Sequence, residues 1–140
     1  MKGPNLSLKA REVMNTRVMA VTRRAIGRDM AVQFLTGVYS GLPVVERDGE
    51  LIGIVTEFDL LKAVQDGRDL HTVTAQDLMS VVPVTVEEDT AIGEVIKQMI
   101  KENILRLPVV RNRKLVGIIS RSDLLHHLID PHLLSVSGSS

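Results

Sequence analysis

Cysteine and tryptophan are absent from this 140-residue chain, and its aromatic side chains are only Phe34, Tyr39 and Phe58. Without cysteine there is no disulfide, no thiolate zinc site and no cysteine nucleophile. The absence suits a reducing compartment, and a cytoplasmic location is expected. With so few aromatics there is no stacking platform for single-stranded nucleic acid. Charge of one sign is missing too. The 17 basic and 17 acidic residues cancel, so no net attraction draws the chain to a nucleic-acid backbone. No apolar run approaches the roughly 18 residues of a membrane span. Met1 to Ala10 is polar, contains Pro4 and lacks the apolar stretch of a secretion signal. Neither membrane insertion nor a nucleic-acid partner is expected.

What is present is a globular composition, 44% hydrophobic and 24% charged. Its core must be built from Val, Ile, Leu and Met. The chain also repeats itself. Leu42-Pro43-Val44-Val45 returns as Leu107-Pro108-Val109-Val110, and Gly53-Ile54-Val55-Thr56-Glu57-Phe58-Asp59-Leu60-Leu61 as Gly117-Ile118-Ile119-Ser120-Arg121-Ser122-Asp123-Leu124-Leu125. Val13-Met14 is matched by Leu78-Met79. Two copies of this length suit a duplicated domain better than a solenoid.

Each copy reads as strand, helix, strand, strand, helix. The first strand is expected over 18–21 and over 84–86. The helix of the second copy carries Ile92, Val95, Ile96, Met99 and Ile100 on one face. Ile26, Met30, Phe34 and Val38 form a looser stripe in the first copy. Strands over 42–45 and 51–55 join across Asp48-Gly49, a strong hairpin signal. Pro43 and Pro108 are expected at strand starts, where a missing N–H does little harm. The closing helices run from Thr56 to about Val64 and from Ser120 to about Leu128. Thr74-Ala75-Gln76-Asp77 reads as a capped turn. The expected divisions are an N-terminal extension (1–9), repeat 1 (10–68), repeat 2 (74–130) and a largely disordered tail (131–140).

Candidate chemistry lies at Thr56-x-x-Asp59 and Ser120-x-x-Asp123. A hydroxyl three residues before an acid is a capping box, worth about 1 kcal/mol, although Asp reaches back less far than Glu or Gln. The same atoms suit a ligand. A helix N-terminus offers amides to a phosphate, and a carboxylate one turn in can accept from ribose hydroxyls. Gly53 and Gly117, inside β-branched strands, signal close approach by backbone or ligand. Arg23, Arg24 and Arg28 read as a solvated face, with a phosphate clamp as the alternative. His126 and His127 are adjacent in a helix and point about 100° apart, so they cannot chelate one metal as an i, i+4 pair does. No metal site, cofactor or catalytic arrangement is expected from the spacing, and no enzyme.

The duplicated Leu-Pro-Val-Val followed by Gly-Ile-x-[Thr/Ser]-x-x-Asp resembles tandem CBS (cystathionine β-synthase) domains, the pair often called a Bateman module. The resemblance covers about residues 10 to 130. It implies an α+β fold of two β-α-β-β-α repeats packed with pseudo-two-fold symmetry, with clefts that bind adenine nucleotides (AMP, ADP or ATP) or other adenosyl ligands. It further implies a regulatory module acting through a homodimer or a regulated protein partner. Carried over residue by residue, one site would use Thr16, Arg17, Val18, Met19, Tyr39, Ser40, Arg106, Ile118, Ser120, Ser122 and Asp123. A weaker pseudo-symmetric site would use Val82, Val84, Ile104, Leu105, Ile54, Thr56 and Asp59, with Gly41 where the first has Arg106. A dimer interface is expected at Leu124, Leu125, Leu128 and Ile129, continuing to Leu133 and Leu134. The alternative is an interaction module whose aspartates only cap helices.

Overall fold

In the computed structural model, residues 5–37, 39, 41–82 and 84–129 are described. The expected disordered tail, with Leu133 and Leu134, lies outside them, as do Val38 and Ser40. The described elements are six helices and five strands. In chain order they are α1 (Ala10–Val13), α2 (Gly27–Thr36), β1 (Leu42–Val45), β2 (Leu51–Val55), α3 (Glu57–Gln65) and α4 (Ala75–Leu78). There follow β3 (Val86–Glu87), α5 (Ile92–Glu102), β4 (Arg106–Arg111), β5 (Lys114–Ser120) and α6 (Arg121–Leu128). The fold class is α+β, as expected.

The chain forms two compact units, and they are not cut as the sequence copies are. One, the Asp123 unit, comprises residues 1–18, 84–112 and 116–140; the other, the Asp59 unit, comprises 19–83 and 113–115. Each has its own core, aliphatic but for Phe34 in the Asp59 unit. The Asp123 unit buries Ala10, Val13, Val86, Ile92, Val95, Met99, Leu107, Val109, Ile119 and Leu124. The Asp59 unit buries Met30, Phe34, Leu42, Val44, Val55, Leu60 and Ala75. So α1, from the start of the chain, serves the core built mainly by the second copy, and α4 serves that of the first.

In the Asp59 unit β1 and β2 pair antiparallel, Leu42 opposite Val55 and Val45 opposite Leu51, around Gly49 at φ +94°. In the Asp123 unit β3 pairs parallel with β4, Val86 opposite Val109. The first strands are shorter than expected. Of the expected strand 18–21, among the described residues, Val21 alone bridges β1, giving its N–H to Pro43 O and accepting from Val45 N. The ladder's next donor, toward Met19, would be the N–H that Pro43 lacks. Pro108 does the same to Val84, so β3 starts at Val86. Pro108 is thus inside β4, not at its start, and the missing N–H shortens a strand rather than being harmless.

The α5 face is as expected at Ile92, Val95 and Met99, which are buried, but Ile100 is 76% exposed. The first two amides of α5 donate to Leu8 O and Leu6 O, and those of α2 to Val73 O and Leu70 O. Lead-in segments thereby satisfy helix starts that lack side-chain caps. Among the described residues no helix is long and apolar enough to cross a membrane.

Candidate functional site

Both strand-to-helix junctions are complete capping boxes. Thr56 caps α3: its N–H donates to Asp59 Oδ2 at 2.7 Å, and Asp59 N donates to Thr56 Oγ1 at 3.3 Å. Ser120 caps α6: its N–H donates to Asp123 Oδ2 at 2.9 Å, and Asp123 N donates to Ser120 Oγ at 3.0 Å. The shorter Asp arm does reach back, against expectation, because the extended cap residue (Ser120 φ −101°, ψ 164°) turns its N–H toward the first turn. Thr74 and Asp77 form a third box around α4. The N–H and hydroxyl of Thr74 hold the Asp77 carboxyl below the usual carboxylate range, with help from Arg68.

The strand glycines are explained by methionine. A Cβ on Gly117 would lie 2.5 Å from Met14 Sδ, and one on Gly53 would lie 2.8 Å from Met79 Sδ. Each Met follows a lead-in turn and seats on the strand that ends at the cap. Beside it Asn15 and Ile118 exchange backbone bonds, as do Ser80 and Ile54. The close approach is thus made by the protein's own side chains.

The Asp123 unit gathers most of the expected first site. The exposed Thr16 and Arg17 and half-buried Val18 follow directly from the Asn15 bridge to Ile118. Leu105 O accepts from the first amide of α6, Arg121 N, at 3.1 Å, which sets exposed Arg106 beside the helix start. Ser122 is exposed and Asp123 half-buried. Met19 and Tyr39, both half-buried, belong to the Asp59 unit, and Ser40 is outside the described residues. Of the weaker site, Ile54, Thr56, Asp59 and Val82 lie in the Asp59 unit, whereas Val84, Ile104 and Leu105 lie in the Asp123 unit.

One asymmetry separates the two junctions. Thr56 spends its hydroxyl proton on Asp59 Oδ2 at 3.0 Å. Among the described residues the Ser120 hydroxyl only accepts, from Asp123 N, so its proton remains available to an incoming anion. Asp123 Oδ1 likewise takes no hydrogen bond there. The signal was the Thr-to-Ser change between copies, which frees the hydroxyl rotor of its methyl group. Among the described residues no group of three or more His, Asp or Glu is placed to hold a metal ion.

A family profile described as CBS domain matches residues 10–66 and again 75–130, each spanning one copy of the repeat and its capped junction. The chain belongs to the CBS domain family. Among its relatives, an uncharacterised protein of Methanopyrus kandleri is 43% identical over 101 residues, covering 71% of this chain and 50% of that protein. Hypoxic response protein 1 of Mycobacterium tuberculosis is 29% identical over 120 residues, covering 85% of this chain and 84% of that protein. This CBS chain thus spans about half of the first relative and most of the second. Among solved structures, Hypoxic Response Protein I with two coordinated zinc ions superposes with a TM-score of 0.77 at 28% identity, covering 87% of this chain and 100% of that one. The CBS domain pair of protein MJ0100, in complex with 5′-methylthioadenosine and S-adenosyl-L-methionine, gives 0.70 at 25% identity, covering 85% and 98%. The chain is a tandem CBS module in both sequence and fold.

Proposed function

We propose that this CBS pair is a regulatory module that binds an adenine nucleotide, AMP, ADP or ATP, chiefly through the Asp123 junction. Asp123 Oδ1 accepts from the ribose hydroxyls, the Ser120 hydroxyl and the Ser122 amide donate to phosphate, and Arg106 adds charge. The loop Thr16–Val18 and Ile118 contribute contacts to the base and sugar. The observation that carries this reading is that, among the described residues, the Ser120 hydroxyl accepts from Asp123 N and donates to no partner, beside an aspartate that accepts through Oδ2 and not Oδ1. The MJ0100 pair, which holds 5′-methylthioadenosine and S-adenosyl-L-methionine, supports an adenosyl ligand. Asp59 takes the same part more weakly, because the Thr56 proton is committed and Gly41 stands where Arg106 does. The module acts without a cofactor or a reaction of its own, in the cytoplasm, by passing the bound state to a dimer mate or a regulated protein partner.

Dimerisation would use apolar residues left on helix surfaces. Leu124 belongs to the core and Leu128 packs against it. The expected interface therefore reduces, among the described residues, to Leu125 (60% exposed) and Ile129 (42%) in the Asp123 unit; in the Asp59 unit α3 separately exposes Phe58 at 75% and Leu61 at 67%. A second reading, an interaction module without nucleotide, is favoured by the complete capping boxes, which give both aspartates structural work.

Isothermal titration of the desalted protein with AMP, ADP, ATP, GTP and S-adenosylmethionine separates the two. A saturable adenine-nucleotide signal below about 100 μM, roughly −5.5 kcal/mol, that Asp123→Asn weakens at least tenfold supports binding. No heat, with no shift in melting temperature at saturating ligand, leaves only the interaction module.

A further inference from the structure

At the end of the β1–β2 hairpin away from Thr56 lies an open pocket of ≈ 400 Å³ lined by Thr22, Arg23, Arg24, Val45, Glu46 and Arg47. Three strand residues, about 10 Å, separate Val45 from Leu42, which pairs beside the Thr56 cap. The pocket therefore stands apart from the capped junction of its own unit. We propose that it is an independent binding site for a phosphoryl dianion.

Arg23 forms its rigid wall. Its Nε and Nη2 donate to the two oxygens of Glu46 at 2.7 and 3.2 Å, a bidentate pair that holds both side chains in place. Its backbone carbonyl is also fixed, by Gln76 N at 3.0 Å. Arg23 and Glu46 cancel in charge. Arg24 and Arg47 are exposed, and among the described residues neither has a carboxylate partner. Among the lining residues they leave a surplus of two positive charges, flanked by the Thr22 hydroxyl; outside the lining, the Glu50 carboxylate also acts on Arg23. A carboxylate would neutralise half of that surplus, whereas a phosphoryl group near pH 7 carries close to two negative charges and three acceptor oxygens. Guanidinium forks match that geometry.

The second copy supplies an internal control. Sixty-five residues on, the corresponding positions are Glu87, Glu88, Asp89, Val110, Arg111 and Asn112. There Arg111 Nη1 meets Glu88 Oε1 at 3.6 Å, the same ion pair with its signs exchanged. Arg11 N donates to Glu88 O just as Gln76 N does to Arg23 O. The fold thus uses one ion pair at this corner and accepts either polarity. The extra arginines have no counterpart in the second copy, where Asp89 and Asn112 stand in their places.

Titration of inorganic phosphate and of sulfate into the 15N-labelled chain, followed by amide shifts, tests this. Saturable shifts at Thr22–Ala25 and Val45–Arg47 are expected, with a dissociation constant on the order of 1 mM. The Arg24→Ala/Arg47→Ala variant should weaken binding at least tenfold without altering the melting temperature. Phosphate should bind several-fold more weakly at pH 5.5 than at pH 7.5, while sulfate, a dianion at both, should not. Tighter binding of a phosphoserine peptide than of free phosphate would identify a modified protein as the source, and equal binding a free oxyanion. Shifts confined to Ser120–Asp123, or no saturation, would overturn the proposal. So would a salt-sensitive self-association lost in the double variant without phosphate binding, since the arginines would then serve the acidic corner of another copy. None of these outcomes depends on whether adenine nucleotides bind.

Discussion

Gly117→Ala is the substitution most directly calculable from the structure. The new Cβ would stand 2.5 Å from Met14 Sδ, 2.8 Å from Met14 Cγ and 3.1 Å from Asn15 O. The sulfur can swing away, being near the end of a flexible chain. The carbonyl cannot, because it accepts the Ile118 N–H at 3.0 Å while Asn15 N donates back to Ile118 O at 2.8 Å. Met14 must therefore change rotamer, giving up its contacts with the Asp123 unit core. Overpacking of this kind costs about 1–3 kcal/mol. Replacing a strand glycine by alanine returns roughly 0.5–1 kcal/mol of backbone entropy. The net loss is about 1–2 kcal/mol, a fall in melting temperature of roughly 3–6 °C for a chain of this size. Urea denaturation of Gly117→Ala, Met14→Ala and the double variant gives the coupling. The double variant should be at least ~1 kcal/mol more stable than the sum of the single losses predicts. Additive losses, or wild-type stability for Gly117→Ala, would refute the steric account.

Arg113 holds φ +70° in the Asn112-Arg113 turn, and its 3.9 Å approach to Glu50 is highly exposed; Arg113→Gly should raise stability by about 0.5–1 kcal/mol in urea denaturation. The carboxyls of Asp69 and Asp77 are held below their ordinary value, Asp69 chiefly by the backbone N–H of His71 and Asp77 chiefly by that of Thr74. Their contribution is present above the unfolded carboxylate value, near pH 4, and is lost as pH falls through the folded value, so Asp77→Asn should flatten the acid limb of a stability profile. Leu61→Glu should shift sedimentation at tens of micromolar protein from dimer to monomer while the chain keeps a single cooperative melt, lowered only to that of the dissociated wild type; a monomeric wild type would end the dimer reading.

Most of the architecture was legible because duplication let each element be read twice. The capped junctions at Thr56 and Ser120, the Asp48-Gly49 hairpin and the Thr74 turn all follow from short-range chemistry. The misreadings came from partners distant in sequence. Pro43 and Pro108 shorten the parallel strands because the donor they lack would face Met19 and Val84, some twenty residues upstream, which leaves the pairing to start at Val21 and Val86. Gly53 and Gly117 pointed correctly to a close approach but could not identify methionine as the approaching group. The basic corner was visible only as a run of arginines. That Arg23 is pinned by Glu46 while Arg24 and Arg47 are left open depends on side-chain placement, which no spacing rule supplies.

The exchange of lead-in segments makes a final prediction. Cutting the chain at the boundary between sequence copies, near Asp69, would separate each core from a segment it uses. The fragment bearing Asp123 would lose Ala10 and Val13, both buried. It would also lose the bonds from Ala10 N to Thr90 O, Arg11 N to Glu88 O and Asn15 N to Ile118 O, and the two that cap α5 through Leu8 O and Leu6 O. Burying one valine contributes about 1.5–3 kcal/mol and each hydrogen bond about 0.5–1.5 kcal/mol. The sum rivals the 5–15 kcal/mol that holds a typical domain together. Fragments 1–69 and 70–140 should each lack a cooperative melt as monomers, and mixing them should restore one. A monomeric 70–140 fragment that melts at the temperature of the intact chain would show that α4 can replace α1 within its own copy, and the two-way exchange would then be dispensable for folding.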